Sequence, residues 1–395
     1  MSRISQLKTA TAALSTLVLF AAPAWAQSLT DASKEMLKEL KLESSILDGL
    51  DQELKVPPAW IEGSKKEAAL RVRLTMHASR FEKVRKVFEA RYPWIKVEYS
   101  RGIGQARALG PLLAFKRGNY VTDIVSSFEA LGDEYAKAGA LVDLRQLVTA
   151  KAPRSEFNSE DGTALAYRIQ HYCMAYGNKR VKAEELPKTW EEVLTNTRWH
   201  NGKTGIAINV NTWLAPLWGK NGEAWGRDYM DKLFNVVKPQ IRKERLSTTP
   251  KLAALGEFDL TIPGGDFIVR GHADEGVPVG YHCPAPVPVT AAWIGILKGN
   301  PHPNASLIYV NWALSKEGQL ADNWGDNFIP SHKGLQRKEF LPYPDAVLGK
   351  PTAPLTPAVL REMPKIIKVW HEYWVKSGGE VDSGGGKRGA KKKPL

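Results

Sequence analysis

From residue 69 onward, apolar and polar positions along the chain alternate in short runs separated by helical stripes. In ALRVRLTM (69–76), Leu70, Val72, Leu74 and Met76 share one side, which predicts a strand. HASRFEKVRKVFEARYP then sets Phe81, Val84, Val87 and Phe88 on one helical stripe, and Pro93 stops it. IKVEYS (95–100) predicts a second strand, RGIGQARALGPLLAFKRGN a loop and a helix, and TDIVSS (122–127) a third strand. Strand, helix, strand, helix, strand at this spacing predicts a parallel sheet in an α/β fold. A second α/β unit opens near residue 163 with the long strand pattern ALAYRIQHYCMAYG. LPKTWEEVLTN predicts a helix, with Thr189 as N-cap and Glu192 in the capping-box position. GKTGIAINVNTW predicts a strand running into Asn209, Asn211 and Thr212; residues 223–238 form a helix; LTIPGGDF is a strand with a Gly-Gly turn. Ahead of all this, residues 27–66 read as an appended helical extension, with Met36, Leu37 and Leu40 on one side and Pro57-Pro58 closing it.

Open parallel sheets bind ligands beyond the carboxyl ends of their strands. In the first unit those ends carry His77, Ser79 and Arg80; Arg101, the Gly102–Gly104 turn, Gln105 and Arg107; and Ser126, Ser127 and Glu129. In the second they carry Asn209, Asn211 and Thr212, then Gly265 and Asp266. Hydroxyls, guanidinium groups and glycine-rich backbone at helix N-termini are the chemistry of an anion or polar small-molecule site. Arg80 and Arg101 equally suit an ordinary charged surface, Arg107 the outer face of its helix, and Asp266 a helix cap.

At 395 residues the chain has room for about two domains. Its first 26 residues pair a basic start (Arg3, Lys8) with a short apolar run and an Ala24-Trp25-Ala26 cleavage site, the pattern of a secretory signal peptide. No later run reaches about 18 apolar residues, so no spanning helix is expected. Removing Arg3 and Lys8 takes the net charge from +13 to 13 − 2 = +11. Residues 377–395 read as a disordered basic tail carrying Lys387, Arg388, Lys391, Lys392 and Lys393, with contact to an anionic membrane as a second reading. An exported chain without a recognition motif excludes nucleic acid as a partner. Cys173 and Cys283 stand beside His171 and His282, which leaves three arrangements open: one disulfide, two buried thiols, or a zinc set. GxSxG and HExxH are absent and no SxxK stands with partner motifs, so no enzyme nucleophile or resident metal or cofactor is expected.

Several motifs resemble the periplasmic solute-binding proteins of ABC importers, in the ferric-iron/thiamine/phosphonate-like branch of the type 2 binding-protein fold. The matching pieces are FEARYPWIKVEY, TDIVSS, EYAKAGALVDL, AYGNKRV with ELPKTWEEVL, GKTGIAI, LAALGEFDLTI, GNPHPNASLIYVNWALSKEGQ and FIPSHKG, from about residue 70 to 335. The resemblance implies two lobes with parallel or mixed sheets flanked by helices, joined by two crossover strands around a ligand cleft. It divides the chain into lobe 1 (67–168 and 289–376) and lobe 2 (169–288). It implies a monomer that closes on a small solute and delivers it to a membrane permease and its ATPase. Residues 299–319 become scaffold, with Asn304 and Ser315 capping successive helices. Cys173 and Cys283 fall on the implied crossover strands, where a disulfide would stiffen the hinge. Iron-binding members use a consecutive Tyr pair; here Gly264-Gly265-Asp266 occupies that stretch, so the metal site does not carry over and an anionic or polar organic solute is expected, with ferric iron, or a ligand sensor or extracytoplasmic enzyme on the same fold, as the alternatives.

Overall fold

The computed structural model describes residues 29–103 and 106–380; the signal-peptide segment, Gln105 and the tail from residue 381 lie outside the described residues. The chain begins with α1 (Asp31–Leu40), α2 (Leu50–Glu53) and α3 (Pro58–Glu67). Met36, Leu37, Leu50 and Leu54 of this extension are buried in one core with Phe81, Phe88 and Trp312, so it braces the first lobe. Its carboxylates pin distant segments: Glu53 accepts from Lys316 N at 2.8 Å and pairs with His332 Nε2 at 2.9 Å.

The first lobe follows as β1 (Ala69–Leu74), α4 (Ala78–Arg91), β2 (Lys96–Arg101), α5 (Ala106–Lys116), β3 (Ile124–Ser126) and α6 (Gly132–Lys137). β1 lies between β2 and β3, parallel to both, with Leu70, Val72 and Leu74 buried as the alternation demands. β4 (Leu165–Gly177) then crosses to the second lobe, made of α7 (Glu192–Thr195), β5 (Thr204–Ala207), α8 (Val210–Asn221), α9 (Glu223–Lys232), β6 (Gln240–Arg242), α10 (Thr249–Leu255), β7 (Leu260–Gly265), α11 (Asp266–Asp274) and β8 (Val279–His282). β9 (Val287–Ile296) returns to the first lobe, which α12 (Pro303–Ala313), α13 (Lys316–Asp326) and β10 (Ile329–Pro330) complete. The chain closes with α14 (Pro344–Val347), β11 (Thr352–Pro354) and α15 (Pro357–Lys376).

β4 and β9 make the fold continuous. The first half of β4 pairs antiparallel with β9, from Leu165 opposite Ile294 to His171 opposite Val289. Its second half pairs with β7 and β8. One hydrogen-bonded path, β2-β1-β3-β9-β4-β7-β5-β6, thus passes through both lobes, yet each lobe keeps its own large core.

Four expectations need correction. Residues 341–376 belong to the second lobe: Phe340 packs in the first core, but Leu341, Met363, Ile366 and Trp370 pack in the second. An amphipathic helix such as α15 fits any apolar face, so its own pattern does not choose the lobe. Residues 377–380 are folded, with Gly379 N donating to Trp374 O at 2.9 Å, and Lys243 pairing with Glu380 at 2.7 Å. α7 is one turn, because Asn196 turns extended and its side chain starts a new turn by accepting from Arg198 N. The N-terminus of α12 is capped by Glu67 of the extension, whose oxygens accept from Asn304 N at 3.0 Å and Ala305 N at 2.7 Å, while Asn304 itself donates to Glu67. Ser315 does cap α13, accepting from Gly318 N.

Cys173 and Cys283 are joined in a disulfide, both fully buried, with Cα atoms 5.0 Å apart. The zinc alternative is closed, since His171 turns to Asp266 and His282 to Pro187 O. Cys283 follows β8, so the bond ties β4 to β8 at the second-lobe root of the crossover strands, within that lobe's core.

Candidate functional site

β1, β2 and β3 are parallel neighbours, so their carboxyl ends form one rim. Arg101 is exposed there, its Nε donating to Thr75 O at 3.2 Å. Gly102 allows the close approach of Arg107, since a Cβ would lie 2.7 Å from Arg107 Cβ. Arg107 is half-buried and its Nε donates to Ser127 O at 2.8 Å, across a left-handed Ser127 (φ 53°). Arg73, on β1, reaches Ser100 Oγ at 3.4 Å and keeps a buried Nε without a hydrogen-bond partner among the described residues. Among the described residues, Arg73, Arg101 and Arg107 have no carboxylate within salt-bridge distance, although most neighbouring guanidinium groups do. Glu129 accepts from Trp293 N; burial pushes its carboxyl up, and the Arg107 charge works against that shift.

The second rim comes from the parallel neighbours β5 and β7, which lead into α8 and α11. Asn209, Asn211 and Thr212 are half-buried at the start of α8; Asn209 makes no side-chain cap, and in the first turn Val210 N donates to Ile208 O at 2.8 Å and Thr212 N to Asn209 O at 3.4 Å. Asp266 is buried at the start of α11, accepting from His171 Nδ1 at 3.0 Å and from Phe267 N at 2.7 Å.

Between the rims stands the hinge. Tyr172 lies edge-on to Phe267, which packs on Phe328 with ring centroids 4.7 Å apart. Burial pushes the Tyr172 phenol far up, so it stays a neutral donor. Arg168 is fully buried on β4, paired with Asp322 at 2.7 Å and stacked on Phe328 at 3.8 Å. Sequence reasoning passed over Tyr172 and Arg168, although a lone cation inside LAYRIQHYC signals a buried partner.

Of the residues predicted for the site, Arg101 and Ser127 stand at strand ends of the first rim, and Asn209, Asn211 and Thr212 at the start of α8 on the second. Others are spent elsewhere. Ser79 is exposed and bonded to His77 Nδ1 at 2.8 Å. Ser126 is buried, its hydroxyl turned to Arg73 O at 3.4 Å. Gly265 serves strand packing, since a Cβ there would press on the Tyr172 ring at 3.0 Å. Asp266 is committed to His171 and its own helix. Arg80 pairs with Asp326 and crosses to Glu275 of the second lobe at 3.6 Å. Glu275→Gln should let the rims part: small-angle scattering should show a larger solute-free radius of gyration, with solute affinity changed no more than about fivefold. An unchanged radius would show that Arg80 does not hold the rims together. Among the described residues no group of three or more His, Cys, Asp or Glu is placed to hold a metal, and no helix is long and apolar enough to cross a membrane.

Two α/β lobes strung on shared strands, each with a rim of strand ends and helix N-termini, define the two-lobed type 2 binding-protein class. The chain belongs to the family described as bacterial extracellular solute-binding protein, whose model matches residues 83–346. Iron-bound HitA from Pseudomonas aeruginosa is similar in structure, with a TM-score of 0.65 at 20% identity, covering 77% of this chain and 99% of HitA. IdiA (FutA) of Trichodesmium, in complex with iron and citrate, gives 0.62 at 15% identity over 79% and 100% of the two chains. AfuA from Actinobacillus pleuropneumoniae, with fructose-6-phosphate bound, gives 0.58 at 19% over 77% and 98%. A comparison with curated protein sequences returns no match.

Proposed function

We propose that this protein captures a small anionic or polar organic solute in the periplasm, after cleavage of its signal peptide, and delivers it as a monomer to a membrane permease and its ATPase. The observation that carries this reading is the set Arg73, Arg101 and Arg107, gathered on one rim without carboxylate partners among the described residues. Guanidinium groups left unpaired at a cleft are suited to a phosphate ester, phosphonate or carboxylate, which they bind in bidentate fashion. From the other side the half-buried Asn209, Asn211 and Thr212 at the start of α8 add polar groups suited to the same solute. Binding changes no covalent bond: a solute touching both rims favours the closed state by its differential affinity.

Native mass spectrometry of freshly purified protein should reveal a co-purifying anion. A thermal-shift screen with fructose-6-phosphate, citrate, phosphate and ferric ion should then show stabilisation by an anion. Arg101→Ala and Arg107→Ala should each weaken that anion about tenfold by calorimetry. Ferric iron, held by two of the similar proteins, is the competing solute; stabilisation by ferric ion alone, insensitive to both substitutions, would overturn the anionic reading. Turnover of the captured solute would overturn the reading as a pure binder.

A further inference from the structure

Behind the first rim, on the far side of Glu129, a groove of about 440 Å³ separates the first lobe from the start of α15. Its floor is apolar, with Leu141, Trp293 and Leu360. Its rim carries Asp133, Glu134, Glu160 and Asp161 against one cation, Arg361, which pairs with Glu160 at 2.7 Å. Asp133 and Glu134 are exposed and have no ion-pair partner among the described residues. The whole chain carries +13, so this groove is an acidic patch on a basic protein.

The same chain supplies a complement. Lys387, Arg388, Lys391, Lys392 and Lys393 follow α15 after a glycine run. The described chain ends beside that helix: Gly378 takes a left-handed turn (φ 84°), and Glu380 O accepts from Trp374 Nε1 at 3.1 Å, so the backbone has already folded back. From Lys376 to Arg361 is 15 residues of helix, about 22 Å. From Glu380 to Lys391 is 11 residues, which extend to about 36 Å. The basic run therefore reaches the acidic rim with slack.

We propose that the Lys387–Lys393 run docks in this groove of its own chain, bridging the first lobe to α15 of the second. The contact adds a tether between the lobes that does not pass through the solute site, and it withdraws the basic run from other anionic surfaces.

Carbodiimide cross-linking of the full chain, mapped by peptide mass spectrometry, tests this. Tail lysines should link to Asp133, Glu134, Glu160 or Asp161 within the monomer, at a yield independent of dilution. The yield should fall at least about fivefold in 0.5 M sodium chloride, where screening shortens charge attraction to a few ångströms. It should fall similarly in an Asp133→Asn/Glu134→Gln variant, whose exposed positions leave the fold intact by circular dichroism. Links spread over unrelated carboxylates, links only between chains, or links indifferent to salt and to the variant would each overturn the proposal. Sedimentation of the full chain with phosphatidylserine vesicles, without groove links in their absence, would also overturn it, giving the tail to a membrane.

Discussion

Replacing Glu317 with alanine is expected to destabilise the first lobe by about 3–5 kcal/mol. Glu317 is fully buried, and its carboxylate accepts from four donors: Ser33 Oγ at 2.6 Å, Arg91 Nε and Nη2 at 2.6 Å each, and Trp312 Nε1 at 2.9 Å. These donors come from α1, α4 and α12, so one side chain joins the extension to two scaffold helices. Alanine strips the buried Arg91 of this counter-charge, and the cost of burying a charge without it exceeds that of the lost hydrogen bonds alone. Glu317→Gln keeps the volume and one acceptor, so it should fall between wild type and alanine. Denaturant midpoints with matched slopes would measure the series. A loss below about 1 kcal/mol for alanine would show that the junction does not depend on this carboxylate.

The double substitution Cys173→Ala/Cys283→Ala is expected to cost about 2–5 kcal/mol. The bond closes a loop of 110 residues that holds most of the second lobe, so its removal frees a large denatured-state ensemble. Both sulfurs sit in the second core, where alanine introduces no polar group. The loss should appear as early unfolding of the second lobe, reported by Trp190, Trp213 and Trp218, which are buried there. Thiol titration of the denatured, unreduced protein should find none. Two titratable thiols, or a variant as stable as the wild type, would refute the role given to the bond.

The first lobe was the most legible part of the chain. β1 and α4 carry clean two-residue and 3.6-residue periods, and Phe81, Val84, Val87 and Phe88 are buried as their stripe requires. α12 was legible for the opposite reason: a helix apolar nearly all round has to be buried, and Ile308, Tyr309, Val310 and Trp312 are. The candidate site was legible only as strand ends. Local pattern places Arg80 at a rim, but its partner Asp326 lies 246 residues further on, and no local period reports such a pairing. Gly265 and Asp266 resemble ligand-facing backbone and a free carboxylate; the nearness of Tyr172 and His171, on another strand, commits them to packing and hydrogen bonding instead. The arginines that remain unpaired could be recognised only after every competing carboxylate had been placed.

The chain passes between its lobes at β4, at β9 and again after Phe340, and that third passage has a mechanical consequence. Two straps side by side allow one half to fold and also to twist about its neighbour. A third, fastened alongside them where β11 lies parallel to β9, opposes torsion while leaving flexion free. Opening of this molecule is accordingly expected to be a swing about a single axis, so each grip surface returns to the same alignment on every cycle.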